Sequence, residues 1–305
     1  MSAPSLPLDP LPSALRQRQA FWTRPDVLPQ ANGEHLWLET GWTSSPSHVA
    51  SYMEYQRSLV PGLDAKGQAA FAVGDYSHML ASAVVPLFVG SRLVPDFSGA
   101  TVRTGFDLRP LDLDGRLLQE RVWRIGLGAG SVDTDDPARS AEPALRQVGD
   151  LTGMFRAQLE THLAPLVATL HRLSRLSRRA LWRLVGDSFA QIFLDAGQHY
   201  GRLDRAKADA AAILKAPGSP LANTQWHYVD ITVRDEHNPE RILASTPFRA
   251  RGGCCRYYTV EGGHLCTTCV LQDPVARDTA LERQLRRKLT QDPAATQMPA
   301  SSRET

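Results

Sequence analysis

Cysteine is scarce in this chain, four in 305 residues, and all four fall between Cys254 and Cys269. Cysteines used only for core packing scatter along a sequence, so this set is gathered for another purpose. Charge of one sign is not in excess. The 34 basic and 32 acidic residues leave a net charge of +2, too mild to make nucleic acid or an anionic membrane the main partner. No stretch of ~20 apolar residues is present, the length a membrane helix needs. The longest apolar segment, MLASAVVPLFVG at 79–90, is short and contains Pro86, so no transmembrane span is expected. The N-terminal MSAPSLPLDPLPSALRQRQAFW has neither the basic start nor the apolar run of a secretory leader. The glycine-rich GLGAG at 126–130 lacks G-x-G-x-x-G spacing and runs into VDTDDPARSAEP, a loop and not a helix start. A turn is the better reading, and no nicotinamide or flavin fingerprint is found. These absences point to a cytoplasmic protein, including a position peripheral to the inner membrane. In that compartment thiols stay reduced, and clustered cysteines bind metal more often than they pair.

What is there is ordinary for a globular chain of one large or two modest domains: 42% hydrophobic and 22% charged residues. Residues 1–13 are read as a disordered N-terminus and 291–305 as a disordered tail. Between them, 14–131 form an N-terminal α+β region and 144–290 a C-terminal helical region, separated by an acidic, proline-containing linker at 131–143. Partial alternation with two Trp suggests a strand at 34–43. Helices are expected over 45–60, capped by Ser45 or Ser47 and stopped at Pro61-Gly62, and from Lys66 to Val89, kinked or ended by Pro86. TVRTGFDLR and LLQERVWRIGL read as an antiparallel hairpin joined through PLDLDG, with Asp114-Gly115 as the tight turn. Leu170, Leu173, Leu181, Leu184, Val185, Phe189 and Ile192 keep helical spacing through 144–201, with Pro165 or Gly186 as the expected divider. Arg172, Arg175, Arg178, Arg179 and Arg183 project between them. They form a solvated helix face or, on a sharper reading, a basic wall for an anionic ligand or an acidic electron donor. A helix at 203–216 is followed by strands at 226–234 and 241–251, and a closing helix starts after Asp273 as cap with Pro274 at its first position. The fold class is α+β, helix-rich, with antiparallel β hairpins and a C-terminal cysteine loop.

The cysteines of RGGCCRYYTVEGGHLCTTCVLQD admit three readings from residue chemistry. Cys266 and Cys269, two residues apart, make a common zinc half-site. The other half, Cys254-Cys255, is a vicinal pair, and adjacent side chains diverge, so both sulfurs reach one ion about 2.3 Å away only awkwardly. A dithiol redox pair belongs at a helix start within a βαβ unit, which is not evident here. A [2Fe–2S] cluster takes two thiolates on each of two irons and houses diverging ligands more easily.

Cys-Cys-(ten residues)-Cys-(two residues)-Cys near the C-terminus resembles the signature of the FhuF-type ferric-siderophore reductases. R-x-x-C-C-x-Y-Y from Arg251 and C-x-x-C-x-L from Cys266 are also similar to that family over 249–271, and LWRLVGDSFAQIF at 181–193 is similar more loosely. The resemblance implies that Cys254, Cys255, Cys266 and Cys269 bind a [2Fe–2S] cluster as the redox centre. It implies an oxidoreductase that passes one electron to Fe(III) in a siderophore (hydroxamate or catecholate), freeing Fe(II) in the cytosol. The electron then comes from a partner such as a ferredoxin or a separate reductase. Arg251 and Arg256 flank the first pair as contacts for an anionic chelate or as charges tuning the cluster. Tyr257 and Tyr258, being adjacent, point opposite ways, one over the cluster and one outward. Gly252, Gly253, Gly262 and Gly263 either bring backbone N–H groups to sulfur or serve as turn glycines. Two other classes of protein fit the bare residues: a zinc-stabilised, non-catalytic binding protein, and a siderophore-biosynthesis accessory protein. Colour separates iron from zinc. The purified protein is expected to be red-brown, with thiolate-to-iron absorption bleached by dithionite; a colourless protein with one zinc per chain would end the iron–sulfur reading.

Overall fold

The computed structural model describes residues 26–28, 38, 41–99, 102–113, 115–127, 130–133 and 146–291. The expected segment 1–13, residues 292–305 of the expected 291–305 tail and 134–143 of the 131–143 linker lie outside them; Gln291 is the last residue of a helix and 131–133 belong to a strand. The strand expected at 34–43 falls largely outside too. Of it, Leu38 donates its N–H to the Thr104 carbonyl (2.7 Å) and Trp42–Ser44 form a 3-10 turn.

Helix α1 is Pro46–Leu59, entered through Ser45, whose hydroxyl meets that of Ser47 (3.1 Å). Helix α2, Ala65–Ser91, is the axis of the fold. Asp64 caps it by accepting the Gly67 N–H at 2.6 Å. Apolar and small residues occupy every face, which is the pattern of a helix surrounded by protein. Pro86 neither ends nor divides it. The ring forfeits only the bond to the Ser82 carbonyl, and packing on all sides keeps the helix running to Ser91, where Arg92 turns left-handed (φ 49°). By length and composition α2 could cross a membrane, but 83% of its most apolar window is buried within the protein.

Strand β1 (Asp26–Leu28) pairs in parallel with β4 (Arg116–Gly126), which pairs antiparallel with β3 (Arg103–Leu113). The hairpin is the expected one, but PLDL belongs to its strand and not to its loop. Pairing continues to Leu113 and Arg116. Among the described strands β3 lies at the sheet edge, where Pro110 meets no second ladder. A second small sheet joins β2 (Leu93–Pro95), β5 (Gly130–Asp133) and β6 (Arg146–Val148).

Helices α3 (Leu151–Ser174) and α4 (Arg178–His199) replace the expected continuous pattern. Neither Pro165 nor Gly186 divides them. The break is at 175–177, where Arg175 turns left-handed (φ 62°) and Ser177 caps α4 through the Ala180 N–H (3.2 Å). Helix α5 is Leu203–Leu214. One hydrophobic core runs through residues of both the 14–131 and 144–290 regions. Its centre is a set of crossed rings: Phe155 lies 5.2 Å from Phe88 and 5.9 Å from Phe193, centroid to centroid. Beside it, buried His162 stacks on Tyr76, whose hydroxyl meets its Nε2 at 2.8 Å.

The last elements form a satellite. Strands β7 (His227–Arg234) and β8 (Ile242–Ala250) pair antiparallel, and helix α6 (Pro274–Gln291) packs on them through Leu281 and Leu285 against Ile231 and Val233. Asp273 caps α6 as expected, accepting from the Val275 and Ala276 N–H groups at 3.0 Å. The Tyr228 hydroxyl donates to the Ala190 carbonyl (2.7 Å) and seats the hairpin on α4.

Burial pushes the His162 pKa down to about 4. The unfolded chain takes up a proton near 6.5 and the folded chain refuses it until about 4. This stability is therefore intact above pH 6.5 and is lost as pH falls toward 4, by ~3 kcal/mol at most. Urea midpoints measured across that window should fall with pH and flatten in His162→Gln; an unchanged slope in the variant would contradict the assignment.

Candidate metal centre

The site begins with an acid in an apolar helix. Asp187 lies on the core side of α4 among Leu184, Val185 and Phe189, and is 1% exposed. A buried carboxylate needs donors, and the chain after β8 supplies them. Gly252 and Gly253 donate their N–H groups to its two oxygens at 2.8 and 2.9 Å. Arg251 Nε reaches it at 3.3 Å and Arg249 Nη1 at 3.7 Å. The backbone consequently lies directly on α4. A Cβ on Gly252 would sit 2.1 Å from Asn223 Nδ2, and one on Gly253 3.1 Å from the Leu184 nitrogen. These two glycines serve close approach to a helix. Their amides face Asp187 and not sulfur, which overturns that expectation. Gly263 donates instead to the Val260 carbonyl (2.9 Å).

Past the glycines the chain presents four free cysteines, Cys269 buried and the other three half-buried. Cys254 Sγ accepts the Arg256 N–H, and Cys269 Sγ the Leu271 N–H, each at 3.4 Å. The Cys255 thiol hydrogen bonds to Cys266. That bond, with burial, holds the Cys255 thiol well above its usual range. It also brings Cys266 down to about 7, with burial opposing and the Arg251 charge helping. Arg251 ties the two halves together. Its N–H donates to the Thr268 carbonyl (3.0 Å), and its Nη1 lies 3.8 Å from Cys266 Sγ. Burial works against its charge, but Asp187 and the nearby sulfurs outweigh it and hold the guanidinium firmly cationic.

Of the other expected residues, Arg256 pairs with Asp64 at the start of α2 (2.9 Å). Tyr257 packs against Phe71 and His264. Tyr258 is 44% exposed. Arg172, Arg175, Arg178 and Arg179 are exposed, and Arg183 is half-buried.

Cys255 opens on a cavity of ≈ 510 Å³ whose walls include Tyr55 and Gln56 of α1, Phe71, Asp75 and His78 of α2, Ser188 and Gln191 of α4, and Arg249 and Arg251. The 144–201 segment does supply a wall through α4, while α1 and α2 supply more. Asp75 is held by the Tyr52 hydroxyl (2.6 Å) and Gln56 Nε2 (3.3 Å). Burial lowers the His78 pKa, with Asp75 and Asp195 opposing. Sequence reasoning passed over Asp187, Arg249, Asp75 and His78. Asp187 did carry a signal, being the one acid on the apolar stripe of α4.

Among the described residues no three His, Cys, Asp or Glu side chains converge on a single ion. The thiols come as two pairs, vicinal and C-x-x-C, joined by the Cys255–Cys266 contact. Two pairs of soft sulfur donors suit a group with two irons. Two family matches cover this region and the helices beneath it. Residues 251–271 match the FhuF 2Fe-2S C-terminal domain, and residues 127–235 match the ferric iron reductase FhuF-like transporter family. Over these stretches the chain is similar to the FhuF-type family. Its cofactor is a [2Fe–2S] cluster, and the family supports a ferric-reductase role. No curated protein matches the chain.

Asp187→Ala leaves two arginines and two buried amides without their acceptor. A loss of about 3–5 kcal/mol is expected from unpairing buried charge, with reduced iron per chain. Asp187→Asn, which keeps one acceptor, should lose less. Urea unfolding and iron analysis check both, and wild-type values for Asp187→Ala would remove Asp187 as the anchor of the loop.

Proposed function

We propose that this FhuF-type chain is a ferric-siderophore reductase, with Cys254, Cys255, Cys266 and Cys269 as the cluster ligands. The observation that carries the reading is that Cys255 shares a cavity with two arginines, Arg249 and Arg251. When bound, the cluster supplies electrons one at a time, as reduction of Fe(III) to Fe(II) requires. The chain's residues do the rest. Arg249 and Arg251 attract the negative charge of a hydroxamate or catecholate chelate. Tyr55 and Phe71 give apolar walls to its organic frame. The four cysteines would hold the redox centre; Cys255 lies at the edge of that cavity, and Cys269 is the most buried of the four. Fe(II) holds hard anionic oxygens less strongly than Fe(III), so the substrate loosens on reduction and iron leaves into the cytosol. The electron reaches the chain from a separate protein, since no flavin or nicotinamide fingerprint is present.

The test is anaerobic reduction of the purified protein followed by stopped-flow reoxidation with ferric hydroxamate and ferric catecholate in parallel. Wild type should be reoxidised by at least one of them. Cys254→Ser and Cys269→Ser should abolish reduction while chelate binding, read by fluorescence quenching, persists. Retained reduction in either variant contradicts the proposed ligands.

A further inference from the structure

Adjacent side chains diverge, and the two vicinal cysteines face different spaces. Cys255 lines the cavity described above. Cys254 lines a separate cleft of ≈ 330 Å³, formed where the α3–α4 corner meets the cysteine loop, with Leu176, Ala180 and Arg183 on one side and Tyr258 and Leu271 on the other. The corner is strongly basic. No acidic residue occurs between Glu160 and Asp187, while Arg172, Arg175, Arg178, Arg179 and Arg183 all do. Among the described residues none of these five forms an ion pair. Asp64, on the loop side, is already engaged by Arg256. Arg178 and Arg179 occupy the first turn of α4, where the helix dipole favours acids and penalises cations. Helix stability does not account for them. Around this positive field lie exposed apolar side chains, Leu173 at 38%, Tyr258 at 44% and Leu271 at 53%. Apolar contact beside a field of one sign is the surface of a transient protein complex.

We propose that this corner is the docking face for the electron donor, an acidic one-electron carrier protein, and that Cys254 is the side on which the electron enters while Cys255 faces the ferric substrate. In that step one electron leaves the reduced carrier and enters the cysteine-held centre; no covalent bond forms or breaks. The proposal rests on the reductase reading. A ferredoxin-class carrier fits it by charge, and a second copy of this chain does not, because the same basic corner would face itself.

The probe is a plant-type ferredoxin, acidic and carrying one electron. Two properties of the loaded protein are measured: its affinity for oxidised ferredoxin by titration calorimetry, and its rate of reduction by pre-reduced ferredoxin in stopped flow, at low and high salt. Arg178→Glu with Arg179→Glu is the test variant, since an acid in the first turn suits the helix and preserves the fold. Both affinity and rate are expected to fall about tenfold or more, with the salt dependence flattened. Reduction by dithionite and turnover of ferric hydroxamate driven by dithionite should stay at wild-type values. Unchanged ferredoxin affinity and rate overturn the proposal. So does an equal loss in Arg283→Glu with Arg287→Glu, which disarms the other arginine-lined groove, beside Thr267 on α6. A wild-type dimer in light scattering that the Arg178/Arg179 variant dissociates would assign the face to a second copy, again overturning it. If wild type fails to reduce any ferric chelate with dithionite, the reductase reading itself falls, independently of the ferredoxin result.

Discussion

The functional end of this protein depends on one buried carboxylate. Asp187 is almost wholly buried, so its charge is tolerable only with strong donors around it. Its partners are two main-chain amides and two guanidinium groups, contributed by four residues of the span 249–253, Arg249, Arg251, Gly252 and Gly253. That demand presses the chain so closely that Gly252 admits no side chain and Gly253 only a tight fit against the α4 backbone. It also fixes where Cys254 and Cys255 start. The two arginines of the Cys255 cavity have the same origin: Arg249 and Arg251 are there to neutralise Asp187, which lines the cavity with them.

A second consequence is directional. The vicinal pair leaves the clamp with one side chain on each side, Cys255 toward the α1–α2–α4 cavity and Cys254 toward the α3–α4 corner. Arg251 then bridges back to the C-x-x-C turn through Thr268 and Cys266. One short segment thereby separates two surfaces of different chemistry, one lined by paired arginines and aspartates and one bordered by arginines unpaired among the described residues.

Much of this was legible in the sequence where the determining interaction is local. The cap Asp273 with Pro274, the β7 strand and the stop at Pro61-Gly62 are short-range signals, and the structure carries them as read. What was illegible depends on neighbours distant in sequence. Pro86 reads as a breaker, but a helix packed on all sides keeps its course through it. Pro110 reads as loop until β3 is known to be an edge strand. The α3–α4 break reads as Pro165 or Gly186, whereas the chain turns at Arg175, a residue that pattern gives no reason to suspect of a left-handed conformation. The parallel pairing of β1 with β4 spans about a hundred residues and has no local signature. Asp187 was visible as an acid on an apolar stripe, but its partners could be assigned only once the chain had folded back on α4.

The satellite formed by β7, β8 and α6 has a small core of its own, Ile231, Val233, Leu281 and Leu285, apart from the main one. Free energy of local opening follows the apolar surface a unit buries. The cysteine loop is tethered on one side to α4 by Asp187 and on the other to this weaker unit. Its second pair is thus held from two directions, by the satellite and by Arg251 through Thr268 and Cys266, while the first pair rests on Asp187 and the helical body. Opening of the satellite removes one of these supports and leaves the other, so the loop's order degrades in steps and not all at once.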